Sequence, residues 1–197
     1  MKLSVTLFAP ALALSALVGC SEPVSDEAAA QRAYLGLDPA VDTALDLGFD
    51  GFNAANSANI APQEAAGALS GIILVAGQVD QGSSENKEMR LDVTLTEWSN
   101  GPVEDADDLE VEYMTEAPIV IDMSLKGLPN ADLDGAITGD LMLGGDLEGI
   151  VTLDLVLDGK TEPDPADPQR IRRVPGAMHI TGTATSEYGV YTVDVTR

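Results

Sequence analysis

Residues 147–158 read LEGIVTLDLVLD. Leu147, Val151, Leu153, Leu155 and Leu157 alternate, for the most part, with Glu148, Thr152, Asp154 and Asp158. A period of two puts the aliphatic groups on one face of an extended chain and the polar groups on the other. The stretch predicts a strand with one buried and one wet face. The pattern recurs upstream. Ile119, Ile121, Met123 and Leu125 alternate with Val120, Asp122, Ser124 and Lys126, and Leu91, Val93 and Leu95 with Asp92, Thr94 and Thr96. LMLGGDL at 141–147 predicts a hairpin around Gly144 and Gly145, and TSEYGV at 185–190 predicts another.

Read this way, the chain contains about eight strands: 68–79, 87–98, 108–115, 118–126, 135–143, 147–157, 177–186 and 189–196. The connections are mostly short and hold no crossover helix, so the sheet is expected to be antiparallel. The expected fold is mainly β: a single antiparallel meander forming a barrel-like or curved sheet or sandwich, with one short N-terminal helix. Glycines at 71, 139, 149 and 182 ease the bending. SGIILVAG at 70–77 is apolar in both parities, which predicts cover on both faces, one of them given by the helix.

That helix is expected at residues 39–48. Asp38 is a capping carboxylate, Pro39 suits the first turn, and Gly48 suits the C-terminal cap. Phe49 and Phe52 are expected to dock onto the core. Asn53, Asn56 and Asn59 read as turn residues.

The chain has 197 residues, a length that suits one domain with appendages. With 45% apolar residues it can build a core, and with 4% aromatics that core is aliphatic. Ten basic against 33 acidic side chains give a net charge of −23, which excludes a phosphate-binding surface for nucleic acid. One Cys excludes an internal disulfide, and one His excludes a multi-histidine metal centre. Densely acidic strands without aromatic girdles argue against a membrane-spanning β-barrel.

Met1-Lys2 is followed by an apolar run from Leu3 to Val18, interrupted by Ser4, Thr6, Pro10 and Ser15. A short positive end, an apolar core and small residues form an export signal. The run falls short of the roughly 20 apolar residues of a membrane span. It ends Leu17-Val18-Gly19-Cys20, which resembles the lipobox of bacterial lipoprotein precursors. The resemblance implies cleavage before Cys20, a diacylglyceryl thioether on its sulfur and an acyl group on the new amine. Two or three chains would hold the protein on a membrane durably, where one would not. Ser21 in second place resembles the default for the outer membrane rather than inner-membrane retention. The expected division is a signal peptide at 1–19, the lipidated Cys20 with a flexible acidic tether to 33, and a β domain at 34–197. Thirteen tether residues, Ser21 to Ala33, would reach at most about 45 Å, and the alternative, a short helix from Asp26 to Tyr34, would shorten that reach.

Several short patterns bear on chemistry. Asn130, Asp132 and Asp134, followed by Gly135, match the first half of a calcium loop. Leu141 stands where the bidentate Glu belongs, so any Ca²⁺ site here is a half-loop, and the same residues suit an ordinary turn. Asp105, Asp107 and Asp108 form a second acidic cluster. Ser84-Glu-Asn-Lys87 fits Ser-x-x-Lys, but the companion elements of penicillin-interacting enzymes are missing. His179 falls on the wet face of a strand. Trp98 reads as a rim residue, with a sugar-stacking platform as the alternative. Residues 158–176 carry four prolines and read as a long loop. Arg170, Arg172 and Arg173 in it would either pair with loop acids or contact an anion, a lipid headgroup or a partner protein.

The expected function is a non-enzymatic binding or structural module on the cell envelope, anchored in the membrane through lipid and needing no cofactor. An envelope protein, a small ligand or Ca²⁺ are the candidate partners. The alternatives are a carboxylate-dependent hydrolase of envelope glycans and a Ca²⁺-dependent adhesion or assembly protein.

Overall fold

A computed structural model describes residues 26–197 apart from Gln81 and Asp105, with only the backbone of Asp107. The expected leader, Cys20 and the first tether residues lie outside the described part. Two helices, α1 (Asp26–Leu35) and α2 (Asp38–Ala54), precede eleven strands. These are β1 (Asn59–Ala66), β2 (Ser70–Val79), β3 (Lys87–Ser99), β4 (Pro102–Val103), β5 (Ala106–Met114) and β6 (Ile119–Lys126). They continue with β7 (Asp132–Gly145), β8 (Gly149–Asp164), β9 (Asp167–Arg173), β10 (His179–Ser186) and β11 (Gly189–Thr196).

The main path of the sheet runs β1-β2-β3-β5-β7-β8-β10-β11, and its pairings are antiparallel. β5 and β6 share one lane between β3 and β7. β6 fills it from Lys87 to Val93 of β3, and β5 takes over where Trp98 meets Tyr113. The expected meander is present, as a curved open sheet with β1 and β11 as its edges, not a closed barrel.

α2 explains why the sheet stays open. It crosses the concave face from one edge to the other: Asp38 is ion-paired to Arg197 after β11, and Gly51 lies against Ile60 of β1. The thirteen helical steps from Asp38 to Gly51 span about 20 Å. Val41, Ala44, Leu45 and Phe49 are buried beneath it, and Leu37, Val93, Ile121 and Leu153 enclose about 10 Å³ of free space. Each large aliphatic or aromatic group buried this way contributes about 2 kcal/mol.

Four expectations are corrected. The helix runs to Ala54, because Gly48 serves helix-to-sheet approach: a Cβ there would collide with Leu91. The expected tether is α1 from Asp26 onward, with Ala29, Ala30, Ala33 and Tyr34 buried against β10 and β11. Alanine forms helix readily but carries too little hydrophobicity to show a period. The expected loop at 158–176 is a hairpin of the extended β8 and β9. Pro165 sits at the apex, Pro163 and Pro168 on strands with a free side, and Pro175 in the turn after β9, where a missing N–H is tolerated. Finally, β2 is covered on one face only, leaving Ile72 exposed. The sequence reading also missed β1, whose Ala-rich segment buries only Ile60.

The sheet has two unlike rims. α1 begins at one, beside the turns after β1, β7 and β10. The β8–β9 hairpin marks the other, where Lys87, Arg90, Lys126, Lys160, Arg170, Arg172, Arg173 and Arg197 gather.

Candidate functional site

The most organised polar constellation is where the β8–β9 hairpin straps α2. Asp42, Asp46 and Asp50 recur every four residues and so line one face of the helix. Arg173 Nη2 lies 2.9 Å from Asp42 Oδ1 and 2.5 Å from Asp46 Oδ1, and Arg170 Nη2 lies 2.7 Å from Asp50 Oδ1. Asn53 completes the strap. Its Nδ2 donates to Ile171 O at 2.8 Å, and its Oδ1 accepts from Ile171 N at 2.9 Å. Arg172 turns back onto Glu162 Oε1, with Nε at 2.9 Å and Nη2 at 2.7 Å. Only this third arginine makes the expected pairing within the segment. Asn53 is a helix residue with a specific partner, not the turn residue expected.

Beside the strap an open groove of about 350 Å³ is bounded by Asp42, Asp46, Arg172, Arg173 and Arg197. Each arginine is already held by a carboxylate of the chain, Arg197 by the buried Asp38. An anion entering the groove competes with these carboxylates. Tyr34 also donates to Asp38, at 3.2 Å.

Asp132 and Asp134 occupy alternate positions on the outer face of β7, while Asn130 lies in the preceding connection. The expected turn therefore ends before Asp132. Lys160 Nζ donates to Asp132 Oδ1 at 2.7 Å, and Lys126 Nζ to Asp134 Oδ2 at 2.8 Å. The hydrogen bond from Lys160 holds the Asp132 carboxyl below the usual range, and both lysines are raised by their aspartates. Among the described residues no group of three or more His, Cys, Asp or Glu side chains is placed to hold a metal ion.

Trp98 is buried, tilted against Tyr113 with centroids 6.3 Å apart, so it offers no sugar platform. His179 is exposed on the outer face, its Nε2 2.7 Å from Asp194 Oδ1. Ser84 and Lys87 do not meet as a pair: Ser84 Oγ accepts from Asn86 N, and Lys87 Nζ donates to Gly82 O. Of the second acidic cluster, Asp108 is exposed on β5, Asp105 lies outside the described residues, and so does the Asp107 side chain.

The strap residues carried one readable signal, the four-residue spacing of Asp42, Asp46 and Asp50. Their partners were hidden because prolines masked β9. No helix among the described residues is long and apolar enough to cross a membrane. No family model, no curated protein and no solved structure matches this chain.

Proposed function

We propose that this chain is an envelope lipoprotein, held on the outer membrane by acyl groups on Cys20, whose β domain binds or supports without catalysing a reaction. The observation that carries the anchoring is the agreement of the leader, Leu17-Val18-Gly19-Cys20 and the solitary cysteine. The non-catalytic reading is supported by where the acids stand. Asp92, Asp122, Asp132, Asp134, Asp154 and Asp158 project from the outer face into solvent. Among the described residues the buried carboxylate is Asp38, already engaged by Arg197 and Tyr34. The inner face is filled by α2, which directs binding to the outer surfaces and rims.

Fractionating bacteria that express the full chain tests this reading. The parent is expected in the outer-membrane fraction, released only by detergent, and Cys20→Ala in the soluble fraction. Equal partition of the two chains contradicts the anchor. Turnover of an envelope glycan that is lost with a carboxylate substitution would instead favour the hydrolase reading.

A further inference from the structure

Among the described residues, four of the five exposed large apolar side chains lie along one rim, and the fifth, Val156, is in mid-sheet. Leu69, 54% exposed, lies in the turn between β1 and β2, and Ile72, 44% exposed, is third in β2. Ile150, 54% exposed, is second in β8, and Val190, 63% exposed, is second in β11. The ladders join these positions along one rim. Ile72 pairs with Thr96, two residues before the Trp98–Tyr113 contact; Tyr113 pairs with Leu143, and Leu143 with Gly149. Two residues past Gly149, Val151 pairs with Ser186, and Ser186 pairs with Gly189.

The described chain enters at the same rim. A Cβ on Gly189 would lie 3.8 Å from Ala30, and the Tyr34 ring lies tilted against Tyr191 with centroids 5.8 Å apart, so α1 runs inward along β11. Asp26, one turn before Ala30, stands about 6 Å farther out. Five residues separate it from Cys20 and reach at most about 18 Å.

We propose that this rim docks on the bilayer, with Leu69, Ile72, Ile150 and Val190 seated among zwitterionic headgroups. The proposal rests on the lipid-anchor reading. The anchor holds the rim within reach of the surface, so a weak contact suffices to keep the body down. The rim's charge selects the lipid: Glu97, Glu104, Glu110, Asp146, Glu148 and Glu187 are exposed there. Such a surface is repelled by anionic lipid and accepts phosphatidylethanolamine or phosphatidylcholine.

The test uses the full chain, purified in its anchored form and placed in phosphatidylethanolamine–phosphatidylcholine vesicles. Acylated Cys20 takes no thiol dye, so Leu69→Cys, Ile150→Cys, Val190→Cys, Val156→Cys and Glu85→Cys each label at one place. Nitroxide lipids are expected to quench the first three severalfold more than Val156→Cys in mid-sheet or Glu85→Cys at the opposite rim. The variant pair Ile150→Asp and Val190→Asp is expected to remove quenching at Leu69→Cys while the chain still floats with the vesicles. Phosphatidylglycerol is expected to weaken the quenching and Mg²⁺ to restore it. Dyes at the rim as water-exposed as the one at Glu85→Cys overturn the docking and leave the rim free for a protein partner. Dye uptake by the parent chain means a free Cys20, which is a failure of the anchor rather than of the rim.

Discussion

Gly48 shows how one residue carries two meanings. In the sequence it reads as the end of a helix; in the fold it lets the middle of α2 lie on Leu91. At an exposed helical site Gly→Ala stabilises by about 1 kcal/mol. Here the added methyl meets a fully buried leucine, and Gly48→Ala is expected to destabilise by about 1–3 kcal/mol in urea unfolding. A gain in stability would contradict the close approach. Tyr34 supplies a second test. Burial, partly offset by Arg197, pushes its hydroxyl up from 10.0 to about 12, and Tyr113 is raised further by burial. The fold favours the neutral phenol, so this contribution is complete below pH 10. It is lost as pH rises from 10 towards 12, by at most about 2–3 kcal/mol for Tyr34. Unfolding followed across that window is expected to lose stability more steeply in the parent than in Tyr34→Phe. Equal slopes would mean the phenol is not held neutral.

At the scale of elements, the strands that bury one face were legible and those that do not were hidden. All eight strands read from the sequence are present, within a few residues at most ends. β1 and β9 escaped, and α1 stood only as the alternative to a tether, because each is stabilised by neighbours more than by its own pattern. β1 offers one buried side chain, β9 carries a proline, and α1 packs alanines. The candidate site shared that limit. Arg170, Arg172 and Arg173 were identifiable as an unusual cluster, but their true partners lie 120 residues away or more for Arg170 and Arg173. Removing Asn53 tests the strap. Asn53→Ala leaves Ile171 N–H and C=O without their partner on α2 and is expected to cost about 1–3 kcal/mol. Hydrogen exchange is expected to rise in β9 while the β7–β8 ladder keeps its protection. Unchanged exchange in β9 would show that the hairpin does not depend on the helix.

Over the whole molecule, basic side chains and exposed apolar surface are segregated to opposite rims. Acids spread over the outer face and the α1 rim, while most of the bases pair with acids at the opposite rim. A net charge of −23 on this body repels itself. Added NaCl or MgCl₂ is expected to raise the melting temperature, and a fall on salt addition would mean that the ion pairs outweigh the self-repulsion. Fold class was readable because a meander needs only local pairing of successive segments. The proposed orientation was not, since it rests on α1 packing along β11 and starting at the apolar rim. The central claim is that this body hangs from Cys20 on a short leash. Intact mass spectrometry with fragmentation of the chain purified from bacterial membranes tests it most directly. The account predicts a mature chain beginning at Cys20 and carrying diacylglyceryl and acyl mass on that residue. A mature chain that begins elsewhere, or an unmodified Cys20, would contradict it.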